Sequence, residues 1–204
     1  MIKILNETEL KIAYINREKI NHELRRKIYN TNCSIISSNC IGGMIYHDLG
    51  FEFLSPTINM YFNSEDFSKL ITNLEKYMSI YPKAIKKDPF PVLILEDIKL
   101  FCLHYKTHIE AIKAWERRKK RINYGNIFVI ATDRDCKNKE DLHLIDKSKY
   151  DKVIFVSTKD HKLNNGIYVP GYQNQVGHLD RFIDESGYRE YEKYLQLNRV
   201  FKRH

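Results

Sequence analysis

Apolar positions along this chain recur in two rhythms, one of helical period and one of short continuous β-type runs. Over residues 16–30, NREKINHELRRKIYN, the apolar Ile20, Leu24 and Ile28 repeat every four positions among charges, which predicts an amphipathic helix with one apolar stripe. A short β run at about 34–38 follows, then the loop SSNCIGGMIYHDLG (37–50). The stretch FLSPTINMYF (53–62) reads as a proline-punctuated loop running into a second strand. In SEDFSKLITNLEKYMSIYP (64–82), Ser64 is an N-cap candidate with acids behind it. Phe67, Leu70, Ile71, Leu74 and Met78 share one helical face, and Pro82 ends the pattern.

The second half is richer in strands. In FPVLILEDIKLFCLHYK (90–106), the run Val92 to Leu95 suits a strand buried on both faces, and Ile98 to Tyr105 a further strand or a hairpin return. Thr107 then opens a helix through HIEAIKAWERRKKRIN, with Ile109, Ile112 and Trp115 inward. The strand NIFVIAT (126–132), a short helix from about 139, the strand KVIFVS (152–157) and the strand GIYVP (166–170) complete the pattern. Strands alternating with helices predict an α/β layered sandwich, its mainly parallel central sheet flanked by helices. Runs near 34–38, 92–95, 127–131 and 153–156 are expected in that sheet. With no repeat or low-complexity linker, residues 1–204 read as a single α/β domain, with a helical N-terminal segment (about 16–30) and a helical C-terminal tail (about 176–204).

Composition adds a charge argument. Lys and Arg total 34 against 26 acids, a net charge of +8, which favours an anionic partner: nucleic acid, a nucleotide-linked donor or an acidic membrane surface. Biased Lys, Ile and Asn usage gives the same number without any partner. Specific nucleic-acid binding is disfavoured, because no recognised nucleic-acid-binding signature accompanies the basic cluster. No apolar run approaches a membrane span, so only peripheral contact is compatible with the sequence. Cysteines at 33, 40, 102 and 136 have neither zinc-knuckle nor disulfide-framework spacing, which predicts free thiols and a cytoplasmic protein.

Five places carry candidate chemistry. In the 37–50 loop, Gly42 and Gly43 let backbone N–H groups converge on an oxyanion or phosphate. A helix beginning there would direct its positive end at Cys40, favouring thiolate. The competing reading is a glycine turn with a half-buried cysteine. His47 lies two helical turns beyond Cys40, whereas His104, in LHYKTH (103–108), is a second acid/base candidate at a strand-to-helix junction. Asn39, Ser55 and Thr57 offer hydrogen bonds to a substrate, or else satisfy their own turns. Arg117 and Arg118, in a basic run at 117–121, can fork onto phosphate or carboxylate, or form a solvated face. Asp133 and Asp135 form an Asp-x-Asp pattern after a strand, a weak candidate for a divalent metal and otherwise a turn. The cofactor is left unknown.

The ordered segments IISSNCIGGMIYHDLGFEFLSPTINMYF (35–62), DFSKLITNLEKY (66–77), HYKTHIEAIKAWERRKKRIN (104–123), NIFV (126–129) and DRD (133–135) resemble the bacterial family called domain of unknown function 1919. Its members are often named exopolysaccharide biosynthesis proteins. The resemblance implies a cytoplasmic α/β protein encoded with capsule or exopolysaccharide machinery, with a transferase as the first expectation; association with the inner face of the membrane is an expectation from the charge. It supplies no catalytic residues. The chemistry favours acyl or related group transfer, with Cys40 as nucleophile, His47 or His104 as acid/base, and Arg117 and Arg118 steering an anionic activated donor towards a polysaccharide precursor. The alternatives are a metal-dependent glycosyltransferase using Asp133 and Asp135, and a non-catalytic module binding saccharide or a partner.

Overall fold

The computed structural model describes residues 5–85, 89–172, 179 and 183–201. Its first helix, α1 (Glu7–Lys27), starts well before residue 16 because Asn6 and Glu9 form a reciprocal cap. The Asn6 side chain accepts from the Glu9 amide at 3.0 Å, and the Glu9 carboxylate accepts from the Asn6 amide at 2.9 Å. Glu7 and Glu9 in the first turn, and Arg25, Arg26 and Lys27 in the last, complement the helix dipole.

Four parallel strands follow one another across a sheet in the order β1 (Ser34–Ser37), β5 (Ile127–Thr132), β6 (Asp151–Val156) and β7 (Gly166–Tyr168). Alternation divides their side chains between two cores. Ile36, Val129, Ala131, Ile154 and Val156 meet α3 (Ser64–Thr72), α4 (Leu74–Ser79), α5 (His108–Lys119) and α6 (Lys139–Asp146), with Trp115 fully buried among them. Ile35, Phe128, Ile130, Val153 and Phe155 meet α2 (Ile41–Leu49), Leu195 and α7 (Leu197–Val200). Coverage of both faces is why all six residues of β5 are buried. The α/β layered sandwich with a mainly parallel sheet is therefore the fold.

Val92–Leu95 departs from expectation. It is β3, paired antiparallel with β2 (Lys83–Ile85) and β4 (Ile98–Phe101) in a second, three-stranded sheet. The two residues Glu96 and Asp97 join β3 to β4, with Glu96 at φ 57°. A connection that short permits only antiparallel pairing, since parallel neighbours need a crossover of about a dozen residues or more. Likewise 53–62 forms turns rather than a strand, and Tyr61 makes one bridge to Phe101. The 64–82 helix divides at Asn73, and its cap is Asn63, whose side chain accepts from the Asp66 amide at 2.7 Å. Thr107 does cap α5, but Ile109 is 54% exposed rather than inward. Of the expected C-terminal helix, residues 176–178, 180–182 and 202–204 lie outside the described residues. The described part carries a 3-10 turn (Glu190–Lys193) and the short α7.

Two features position the site. The outward amides of edge strand β1 are used by side chains: Ile35 N–H donates to the Tyr46 hydroxyl at 2.9 Å, and Ser37 N–H to Thr57 Oγ1 at 3.1 Å. This closes the edge to another strand and pins the 55–59 segment beside it. Moreover, α2 leaves β1 towards one core while α6 leaves the adjacent β5 towards the other. Adjacent strands whose helices diverge leave a crevice at their carboxyl ends, where ligands of open α/β sheets gather.

Candidate functional site

Cys40 stands at that crevice, three residues beyond β1 and at the N-cap position of α2. It is not the residue that caps the helix. Asn39 does so, its Oδ1 accepting from the Ile41 amide at 3.0 Å and from Ser37 Oγ at 3.0 Å. The thiol instead lies 3.4 Å from Nε2 of His104, a residue 64 positions away. His104 sits in the turn after β4, so the antiparallel hairpin delivers the imidazole to the end of the parallel sheet.

The segment behind this pair is held from both sides. A Cβ on Gly43 would stand 3.3 Å from Ile58 Cγ2, and one on Gly42 3.0 Å from Ser37 Cβ, both tighter than ordinary contact. The two glycines thus let α2 sit directly against β1 and the 57–59 turn. Their amides also belong to the first turn of α2, where helical geometry supplies no intrahelical acceptor. Ser55 and Thr57 are fully buried and bond each other at 3.1 Å. Their hydroxyls serve the turn and β1, so they have no surface to offer a substrate.

The arginine pair is split. Arg118 is buried and donates to the Ile58 carbonyl at 3.3 Å and the Tyr105 hydroxyl at 2.6 Å, with its guanidinium 5.0 Å from the Phe53 ring centroid. Tyr105 O–H in turn donates to Ile58 at 3.1 Å. Arg118 is a brace for the turn rather than an anion receptor. Arg117 is exposed on α5. One residue apart on a helix, the two side chains point about 100° away from each other, so a joint fork on one anion is not formed.

His47 is not brought to the thiol. It is exposed on α2, its Nδ1 3.5 Å from the Asp48 carboxylate, and seven residues of helical rise separate it from Cys40 by about 10 Å. Asp133 and Asp135 also part. Asp133 is buried and accepts from the Ser157 amide at 2.7 Å, Ser157 Oγ at 2.8 Å and His161 at 3.3 Å. Asp135 instead accepts from the Tyr61 hydroxyl and lies 3.6 Å from Arg134. Among the described residues, no group of three or more His, Cys, Asp or Glu side chains is placed to hold a metal ion.

The remaining thiols differ from Cys40 by environment. Burial pushes Cys33 and Cys102 up to about 12, and burial also raises Cys136. Sequence reasoning missed Tyr105 as a partner of Arg118, and the buried network of Arg17, Asp48, Arg189 and Glu192. Arg17 looks in the sequence like one more charge on a solvated helix face.

An α/β chain with a thiol and an imidazole in contact beyond the carboxyl end of a parallel strand is the class this architecture defines. Residues 11–200 match the family described as Domain of unknown function (DUF1919), and the chain belongs to that family. It is 32% identical over 192 residues to an uncharacterized protein of Haemophilus influenzae, an alignment covering 91% of this chain and 93% of that protein. Among the described residues no helix is long and apolar enough to cross a membrane.

Proposed function

We propose that this protein is a group-transfer enzyme, acyl transfer being the leading case, that uses Cys40 and His104 on precursors of a capsule or exopolysaccharide. The observation that carries the reading is the 3.4 Å contact between a half-buried cysteine at a helix N-terminus and a histidine from the turn that follows β4 of the second sheet. Helix N-termini and adjacent imidazole both favour the thiolate. The saccharide context comes from the family resemblance.

The reaction balances in two half-steps. His104 takes the Cys40 proton, and the thiolate attacks the donor carbonyl. The donor's leaving group departs with the proton from His104, and a thioester remains. An acceptor hydroxyl, deprotonated by His104, then attacks the thioester, and the proton returns to the Cys40 sulfur. The first-turn amides of Gly42 and Gly43 are the donors for the oxyanion of each tetrahedral intermediate. Arg117, exposed on α5, steers an anionic donor. A net charge of +8 supports peripheral contact with an anionic inner membrane face, and four free cysteines fit a reducing cytoplasm.

Intact and peptide mass spectrometry after incubation with acetyl-coenzyme A or p-nitrophenyl acetate tests the reading. An acetyl adduct on the Cys40 peptide is expected, absent in Cys40→Ser and slowed roughly 10²–10⁴-fold in His104→Ala. No adduct from either donor, or an equal adduct in Cys40→Ser, overturns it.

A further inference from the structure

We infer that the cavity of about 550 Å3 walled by Tyr61 and Phe101 is a binding subsite for a neutral polyhydroxylated ring, a pyranose, and that it holds the acceptor of the transfer reaction. Its role as acceptor site rests on the group-transfer reading; its ability to bind a sugar does not.

The volume lies within the range of small-molecule pockets, roughly 300–1,000 Å3. Two aromatic rings give it an apolar wall: Tyr61 and Phe101 have centroids 5.8 Å apart, and Phe90 braces Phe101 edge-on at 6.4 Å. The Tyr61 ring is fixed twice, by the Arg134 guanidinium 4.9 Å from its centroid and by its own hydroxyl, which donates to Asp135. Around these rings stand three carboxylates (Glu65, Asp135 and Asp141), two ammonium groups (Lys69 and Lys137) and two amides (Asn63 and Asn138).

The composition of the wall selects the ligand. With Arg134 on the Tyr61 ring, three carboxylates meet three cations, Glu65 paired with Lys69 at 2.9 Å and Asp135 3.6 Å from Arg134, so the wall has no excess positive charge for a phosphate, and so many polar groups make an alkyl chain a poor occupant. Acceptors interleaved with donors beside two tilted aromatic rings match a molecule with vicinal hydroxyls on its rim and C–H groups on its face.

The cavity and the dyad share a framework. Tyr61 and Phe101 exchange two backbone hydrogen bonds of 2.9 Å, and the next residue, Phe62, donates its amide to the Ser38 carbonyl at 3.0 Å. Ser38 lies two residues before Cys40, and Phe101 three residues before His104. The bridge that carries the aromatic wall therefore also leads into the thiol and the imidazole.

Saturation-transfer NMR on full-length protein tests the inference. The probes are the methyl glycosides of glucose, galactose and N-acetylglucosamine, with methyl phosphate and hexanol as comparators. Saturation should reach the ring C–H protons of at least one glycoside and leave the comparators unchanged. Affinity should fall at least tenfold in Asp141→Asn and in Phe101→Leu. Asp135→Asn is the second carboxylate variant: Asp135 occupies φ 55°, which asparagine tolerates, so circular dichroism should match wild type while binding falls. Saturation of none of the three glycosides, equal binding by all three variants, or preference for phosphate or hexanol overturns the inference. Cys40→Ser should bind the glycoside as wild type does, so a failed transfer chemistry and a failed sugar site give different results.

Discussion

Cys33 and Cys102 lie fully inside the two cores, where burial pushes both thiols up to about 12, and Cys136 is raised by the same cause. Cys40 alone among the four combines partial exposure with a contact to an imidazole. Iodoacetamide at pH 7 should therefore alkylate Cys40 first, with Cys33 and Cys102 unmodified until the protein is denatured. Peptide mapping over time reads the order directly, and labelling of Cys136 ahead of Cys40 would contradict it. Both members of the dyad can be picked out of the sequence as reactive residue types. That they meet cannot, because nothing local in a separation of 64 positions fixes where the β3–β4 hairpin docks.

Elements are where the charged residues acquire meaning. The pattern of α1 predicts an apolar stripe at Ile20, Leu24 and Ile28, yet its most buried positions include Ala13, Arg17 and Asn21. Arg17 bonds Glu192 through both terminal nitrogens, at 2.5 and 3.0 Å, and its Nε lies 3.2 Å from Asp48. Arg189 forks onto the same Asp48 at 2.9 and 3.1 Å. One carboxylate on α2 thus bridges guanidinium groups from both ends of the chain, and Glu192 supplies the second negative charge. Asp48→Ala leaves two buried cations short of a partner and should cost about 3–5 kcal/mol in urea unfolding. Glu7→Ala removes an exposed i,i+4 pair with Lys11 and a first-turn charge on the helix dipole, and should cost about 1 kcal/mol or less. Similar losses for the two variants would mean the network adds no more than a surface pair.

For the molecule as a whole, acid is an informative stress. Asp146, at the end of α6, is desolvated, which pushes its carboxyl up. Hydrogen bonds from the Asn165 side chain at 2.8 Å, and from the Asn164 and Asn165 amides at 2.7 and 3.0 Å, outweigh this and leave it below the ordinary value. The unfolded carboxyl, with a pKa of about 3.9, takes up its proton at higher pH than the folded one. The stabilisation is therefore complete well above pH 4 and disappears as pH falls through the folded value. The melting temperature of Asp146→Asn should lie below wild type at pH 7, and the gap should narrow below about pH 4. A gap independent of pH would remove Asp146 from the acid response.

Local pattern by itself determined much of this protein. Strands at 34–37, 127–132, 151–156 and 166–168 follow from short β-branched runs, and α5 follows from Thr107 and the spacing to Trp115. Such elements are written locally because hydrophobic period and capping act over a few residues. Tertiary structure decided the rest. It placed Val92–Leu95 in a separate antiparallel sheet, gave Arg118 to the Ile58 turn rather than to a ligand, sent Asp133 and Asp135 to different partners, and brought His104 instead of His47 to Cys40. Burial, pairing of charge and the meeting of distant side chains depend on which surfaces pack together. No short window of sequence contains both sides of such a contact.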